Sequence, residues 1–443
     1  MKTRLRLFYI CFAAVLGVSC QGKSKESHQL YSTSSVDLPS VESGSNFAYD
    51  SAGCEKINRR KIGIMTGFTY MDGAEDILSH EYVDKTVPAL IKIMDNVSHA
   101  KAVKMRHPCM LVIARLSGLE SRFFNVISAP PAILDENGEL LESGVQAAKN
   151  DAARWIRKMN EEIEKRGIDR EFLQYVDFIE GLNEPGFEQT PNNYRFYAEF
   201  EAERVRLMAE EWGKRACVGN FSVGKPEVVG ELGQEIWLQM VPLLDAVVKF
   251  KGAMCVHEYI VPEGEFDRLP VSISNDPAGN WYTLRYLRAK ELIKQNQLAQ
   301  QRNQLAQQRN RVARPDKKER PFSYGPDHTK INWIISEFGI DRAGNPDQDG
   351  WKAQLGEDLK AKCHYMSLIS SYETNLFLDE AVLGATLFAY EIPQWKSFDL
   401  TPLIEQKSKN TDDLMATGML VEYLNELHAW KKTCFNVKIN NRF

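Results

Sequence analysis

The sequence predicts an α/β fold, a (β/α)8 TIM barrel forming a single domain. Three observations point there. From Tyr175 onward, short β-rich runs alternate with long amphipathic helical patterns, the signature of parallel strands joined by helical crossovers. Two of those strand-like runs end with a glutamate followed within two residues by a proline or glycine, at Glu184 and Glu337. The chain has 443 residues, 43% hydrophobic and 26% charged, and a β/α barrel with insertions carries roughly 200 to more than 400 residues on one core. The net charge of -5, from 55 basic and 60 acidic side chains, supplies no broad basic surface, which excludes nucleic acid as a main partner.

At the N-terminus, Lys2, Arg4 and Arg6 precede an apolar run from Leu7 to Val18. The run is too short to span a bilayer permanently and has the layout of a secretory signal. Gly17-Val18-Ser19-Cys20 follows, small residues leading into a cysteine. This segment resembles a bacterial lipoprotein signal, with Gly17 where the usual box has Leu. The resemblance implies that Cys20 becomes the acylated first residue, anchoring an exported chain to the outer membrane on its periplasmic or exterior face. Signal cleavage that leaves Cys20 unmodified is the alternative. Residues 20–55 are Ser-rich and lack apolar periodicity, so they read as a flexible tether. The division expected is therefore 1–19 signal, 20–55 tether and 56–443 barrel.

Within the barrel region, Lys61–Thr66 and Cys109–Leu116 read as strands, with helices near Tyr82–Asn96 and Gly144–Arg166. Eight strands require three before Tyr175, and Ala100–Met105 is assigned as the third. An open sheet of two plus five strands is the alternative. Tyr175–Leu182 is the fourth strand, and Thr190-Pro191 then starts a helix with Tyr194, Tyr197, Val205, Met208 and Trp212 on one face. Strand Ala216–Val223, a helix marked by Trp237, Val241, Leu244 and Val248, and strand Ala253–Tyr259 follow. A long helix near 281–311 contains the heptapeptide Asn296–Arg302 repeated unchanged at Asn303–Arg309. The repeat stacks Leu305 over Leu298 and reads as a surface extension, since two heptads fall short of a coiled-coil pattern. Strand Ile331–Phe338, a helix over Trp351–Phe377, strand Ala381–Tyr390 and a helix over Asp412–Trp430 complete the series.

Export makes disulfides permissible, and no Cys-x-x-Cys or Cys/His spacing suggests zinc. Cys109, Cys217 and Cys255 lie in apolar strand-like contexts and read as small hydrophobes, while Cys54 and Cys434 flank the folded region as a candidate pair. Neither a calcium-loop spacing nor a Gly-rich phosphate cradle occurs.

The chemistry-bearing runs are Phe178-Ile179-Glu180-Gly181-Leu182-Asn183-Glu184-Pro185 and Trp333-Ile334-Ile335-Ser336-Glu337-Phe338-Gly339. One carboxylate at a strand end is ordinarily a cap or an ion-pair partner. Two, on strands counted fourth and seventh, face each other across a barrel mouth, where active sites of this fold are built. Such a pair can split a glycosidic bond: one protonates the leaving oxygen while the other attacks the anomeric carbon or activates water.

Asn183-Glu184-Pro185 looks like the strand-four signature of clan A glycoside hydrolases, including families 5 and 39, and Ser336-Glu337-Phe338-Gly339 is similar to their strand-seven nucleophile segment. His257-Glu258-Tyr259 ends the sixth strand, where many clan members carry a His-x-Tyr pair. The resemblance covers residues 178–390. It implies a single catalytic domain acting on a carbohydrate, with Glu184 as acid/base, Glu337 as nucleophile of a retaining mechanism, Asn183 on the sugar 2-hydroxyl and Tyr259 holding Glu337. His257 is either a substrate contact or a satisfied wall histidine, and Glu180 a buried partner of a basic group. Arg115 and Arg106 each resemble the clan arginine near the nucleophile. Trp395 is the expected sugar platform, simple packing being the alternative, with Trp281 and Phe187 behind it. No metal and no cofactor is needed, because two carboxylates suffice. The competing reading is a non-catalytic glycan-binding lipoprotein on the same barrel. A hydrolase of esters or amides lacks its Gly-x-Ser-x-Gly elbow.

Overall fold

The computed structural model describes residues 61–67, 88–117 apart from 96 and 98, 135, 140–260, 282–312, 325–404 apart from 343, 391 and 393, and 418–420, 423, 431 and 434. The signal, the tether, Cys20 and Cys54 lie outside the described residues, as does most of the helix expected over Asp412–Trp430; Met419, Leu420 and Tyr423 within it are helical. Among the described residues no helix is long and apolar enough to cross a membrane.

Eight parallel strands close in sequence order: β1 Ile62–Gly67, β2 Leu90–Met94, β3 Leu111–Arg115, β4 Phe178–Glu180, β5 Arg215–Phe221, β6 Ala253–Ile260, β7 Asn332–Ile340 and β8 Val382–Tyr390. β1 pairs with β8 through Ile62↔Ala385 and Gly63↔Thr386, which closes the ring and removes the open-sheet alternative. The expected (β/α)8 TIM barrel is the fold observed.

Between β2 and β3 the expectation fails twice. Leu90–Met94, read as helix, is a strand whose first four residues are buried. Ala100–Met105, read as the third strand, lies inside helix α1, His99–Arg106. The physical reason is Lys92: a lysine inside an apolar run suggests a helix with a wet face, but this one is fully buried in the barrel interior.

The remaining helices follow local chemistry. In α2, Glu142–Lys165, the residues Ala148, Ala152, Trp155, Ile156, Met159 and Ile163 recur at three- and four-residue steps and are buried. Helix α3, Pro191–Trp212, begins with Thr190 accepting from the Asn193 N–H and ends at Gly213, whose φ of 63° suits a residue without Cβ. The helix expected around Trp237 to Val248 is two helices, α4 Gly230–Gln239 and α5 Val241–Lys249, because Pro242 fits only a first turn. The long helix α6 spans Arg285–Val312. The helix expected over Trp351–Phe377 divides into α7 Trp351–Leu355 and α8 Leu359–Phe377 at Gly356 (φ 95°), with Asp358 capping the second.

Disulfides correct the cysteine reading. Cys217 on β5 and Cys255 on β6 are bonded to each other, their Cα atoms 5.6 Å apart on adjacent strands with both side chains inward. Cys434 is bonded to Cys363 of α8 rather than to Cys54, and Cys109 is also disulfide-bonded.

The barrel interior is layered. Leu90, Ile113, Phe178, Cys217, Ala253, Cys255 and Ile334 form a closed apolar plug. Two residues further along the same strands stand Lys92, Arg115, Glu180, His257 and Ser336, since alternate residues of a strand share a face. Above them, Met65, Tyr259, Phe388 and Phe398, with Met94, Val223 and Trp395 packed against them, form an apolar and aromatic mouth. The plug supports a polar layer at the C-terminal ends of the strands.

Candidate active site

Glu337 is the centre of the polar layer. Register shifts in β6 and β7 bring Glu337 opposite His257 at the strand ends. Its Oε1 accepts from Lys92 Nζ at 3.0 Å and from Arg115 Nη1 at 3.1 Å, and its Oε2 accepts from the Tyr259 hydroxyl at 2.9 Å. The side chain is only 7% exposed. Burial alone pushes its carboxyl upward, but His257, Lys92 and Arg115 together outweigh it and hold the group at about 2. Burial pushes the Tyr259 phenol well above its usual range, with Glu337 adding to the effect, so the hydroxyl stays a donor. Lys92 also binds Glu180 Oε2 at 2.9 Å, which makes Glu180 the buried ion-pair partner expected of it. Two buried cations thus face two buried carboxylates, the pairing without which such groups would be very costly to desolvate.

Glu184 stands opposite and is built differently. Its φ is 44°, and its N–H donates to the Asn220 carbonyl at 2.9 Å. Asn220 is itself at φ 42°, where the β5 register shifts between Gly219 and Phe221, so an irregularity in β5 fixes the backbone that carries Glu184. The Glu184 side chain is 40% exposed, with Oε1 2.8 Å from His257 Nδ1. The same Nδ1 lies 3.5 Å from Glu337 Oε2. His257 is therefore neither a wall histidine satisfied elsewhere nor remote from the chemistry: it links the two carboxylates.

One donor atom each from Glu184, His257 and Glu337 lie within 4.8 Å of one another, a composition that could ligate a metal. Lys92 and Arg115 already hold Glu337 from below, and a further cation there would meet their repulsion.

Asn183 is half-buried beside Glu184, and its Oδ1 is a buried acceptor with no hydrogen-bond partner among the described residues; His257 Nε2 is likewise buried without a partner there. Trp395 is half-buried at the mouth, edge-on to Phe388 at 5.0 Å and to Phe398 at 5.3 Å; Phe388 in turn meets Tyr259 at 6.2 Å. It thus stands two aromatic contacts from Glu337. Arg115 is the arginine that reaches Glu337; Arg106 is exposed at the end of α1, before β3. Phe187 is buried against Tyr194 and Tyr197 at 4.9 and 5.3 Å and is packing, not a platform. Trp281 lies outside the described residues.

Sequence reasoning missed Lys92, because its strand was read as helix, and Asn220. Thr386 was missed as well; it donates to the Ser336 carbonyl at 2.6 Å, while Ser336 Oγ donates to Asn220 Oδ1 at 3.2 Å. The available signal was the spacing: Lys92 follows Leu90 by two residues, as Arg115 follows Ile113.

No family model matches the chain, and no curated protein matches it. Among solved structures it is similar to the cellulose synthase subunit Z of Clostridioides difficile, with 10% identity, 80% of this chain and 98% of that one covered, and a TM-score of 0.33. It is also similar to a bacterial orthologue of human α-L-iduronidase, with 11% identity, 78% of this chain and 51% of that one covered, and a TM-score of 0.33. At these scores neither likeness bears on function.

Proposed function

We propose that the protein is a glycoside hydrolase acting with retention of anomeric configuration. The observation that carries this reading is the convergence of Glu184 and Glu337 on His257 at the barrel mouth. Carboxylate oxygens within 4.8 Å of each other suit the retaining separation of about 5 to 5.5 Å better than the roughly 6.5 to 9.5 Å that an inverting water needs.

In the first step Glu337, ionised by its cations, attacks the anomeric carbon. The bond to the leaving oxygen breaks, and that oxygen takes the Glu184 proton. In the second, Glu184 takes a proton from water, the resulting nucleophile attacks the same carbon, and the ester to Glu337 breaks. His257 fits both steps. With the proton on Nδ1, His257 donates to Glu184 Oε1 whether that carboxyl is neutral or ionised, leaving Oε2 to carry the proton passed to the leaving oxygen. Asn183, whose buried Oδ1 has no partner among the described residues, would accept from a sugar hydroxyl, and Trp395 would stack on a ring face. The charged leader, the apolar run and Cys20 support an exported, lipid-anchored enzyme.

Hydrolysis of a panel of aryl glycosides and polysaccharides by the protein, its Glu184→Gln and its Glu337→Gln variants tests the proposal. Glu337→Gln is expected to abolish turnover of every substrate. Glu184→Gln is expected to lose about 10² to 10⁴ in kcat on natural linkages and far less on aryl glycosides, whose leaving groups need little protonation. Full activity in either variant would end the assignment. Glycan binding without turnover by the unmodified protein would favour the binding-protein reading.

A further inference from the structure

At the end of β5 two consecutive residues leave the extended conformation, Gly219 at φ 100° and Asn220 at φ 42°. Gly219 has no substitute there, because a Cβ would stand 2.7 Å from the Cys255 carbonyl oxygen. Asn is one of the few residues with a side chain that enter the left-handed region readily, which accounts for its backbone at 220 but not for its side-chain contacts. The amide is only 1% exposed, and a buried polar group needs a partner. Its Oδ1 accepts from the Ser336 hydroxyl at 3.2 Å, and the Cys217 sulfur lies 3.9 Å from the same oxygen.

Ser336 immediately precedes Glu337 and is itself held in place. Its carbonyl accepts from Thr386 Oγ1 of β8 at 2.6 Å and from Lys92 Nζ of β2 at 3.3 Å. On the other side, the Glu184 N–H donates to the Asn220 carbonyl at 2.9 Å. One residue of β5 thus receives a hydrogen bond from each segment that carries a carboxylate: at its side chain from the neighbour of Glu337, at its main chain from Glu184 itself. Strand β4 ends at Glu180, so its ladder stops short of Glu184 and does not set the height of that carboxylate above the sheet. The bond to Asn220 does.

We propose that Asn220 is a positioning residue whose side chain ties the Glu184 segment to β7 and so sets the separation of the two carboxylates. This deepens the glycosidase reading and rests on it, since a nucleophile and an acid/base that act on one bond tolerate little change in their spacing. Asn220 acts through the main chain of Glu184 and through Ser336. Glu337 keeps Lys92, Arg115 and Tyr259 whatever stands at 220, so loss of the amide displaces the acid/base and spares the nucleophile.

The test uses the whole protein with Asn220→Gly, which keeps the left-handed backbone and the carbonyl but deletes the amide, Ser336→Ala, which deletes the donor, and the two combined. For each, kcat/KM is measured on an oligosaccharide that the unmodified protein cleaves and on the dinitrophenyl glycoside of the same sugar, whose leaving group needs little protonation. Each single variant is expected to lose about ten- to a hundredfold on the oligosaccharide and far less on the dinitrophenyl glycoside. The combined variant is expected to be no worse than the more impaired single one, because both remove the same bond. An equal loss on both substrates, no loss on either, or a combined loss equal to the product of the single losses overturns the inference and leaves the hydrolase reading standing. If Asn220→Gly does not fold, the substrate split in Ser336→Ala decides. If the unmodified protein cleaves no glycoside, the hydrolase reading fails by itself, and the inference is read from the imidazole nitrogen NMR signals of His257, which report its 2.8 Å contact with Glu184. Signals displaced in Asn220→Gly and Ser336→Ala uphold it, and unchanged signals overturn it.

Discussion

Just past β4 and within the last half of β7 stands the same side chain in opposite surroundings. Glu337 is sunk in the polar layer, gripped by Lys92, Arg115 and Tyr259, and its carboxyl is held at about 2. Glu184 stands 40% exposed on a backbone at φ 44°, with a single histidine contact. A nucleophile needs to stay ionised and still; an acid/base needs access to water, to the leaving oxygen and to a partner that accepts or returns a proton. Strand position brings the two carboxylates together, while the neighbours supplied by β2, β3 and β6 give them different surroundings.

The most severe way to disturb that division is to remove the cation shared by Glu180 and Glu337. Lys92→Met leaves two buried carboxylates short of a counter-charge, with an expected loss of about 3 to 5 kcal/mol in denaturant unfolding. In any folded fraction, Glu337 protonates at higher pH, so the acid limb of kcat/KM moves upward. If Lys92→Met leaves both stability and the acid limb where they were, the electrostatic distinction between the two sites falls.

Acid titration of the unaltered protein probes the same distinction more gently. The Glu337 carboxyl is depressed from 4.5 to about 2, and a group depressed in the fold stabilises it above its unfolded value. That contribution, on the order of 3 kcal/mol, is complete above pH 4.5 and is lost as the pH falls toward 2. Glu337→Gln is expected to flatten this part of the stability profile. A profile of equal steepness in both proteins would assign the acid sensitivity to other groups.

The smallest expected effect belongs to Tyr259→Phe, which removes one hydrogen bond to Glu337 Oε2 and leaves both cations in place. A loss of roughly 1.5 to 3 kcal/mol of stabilisation of the charged group corresponds to about ten- to a hundredfold in kcat. A positioning role for Tyr259 under the proposed mechanism predicts the loss in kcat more than in KM. An effect confined to KM would place Tyr259 on the substrate instead.

Much of the site was legible because its residues stand at strand ends. Glu184, Glu337, Asn183, His257, Tyr259 and Arg115 each close a β-rich run, and such ends meet at one face once the sheet curls shut. Glu180 was legible as a buried ion-pair member, though not its partner. Lys92 was hidden because an interior polar layer breaks the apolar pattern by which strands are recognised, and the same error displaced the third early strand onto α1. The β5 irregularity at Asn220 has no sequence signature, since it depends on register with β6 and on the Glu184 N–H it receives. The Cys217–Cys255 bond was hidden for a related reason: only strand adjacency shows that two cysteines in separate runs face each other.

In the proposed mechanism Glu337 attacks carbon rather than activating water. The most direct measurement is proton NMR of the first sugar released from whichever panel substrate is cleaved, recorded before mutarotation. Retention of the anomeric configuration is the expected result; an inverted first product would contradict the nucleophile role of Glu337.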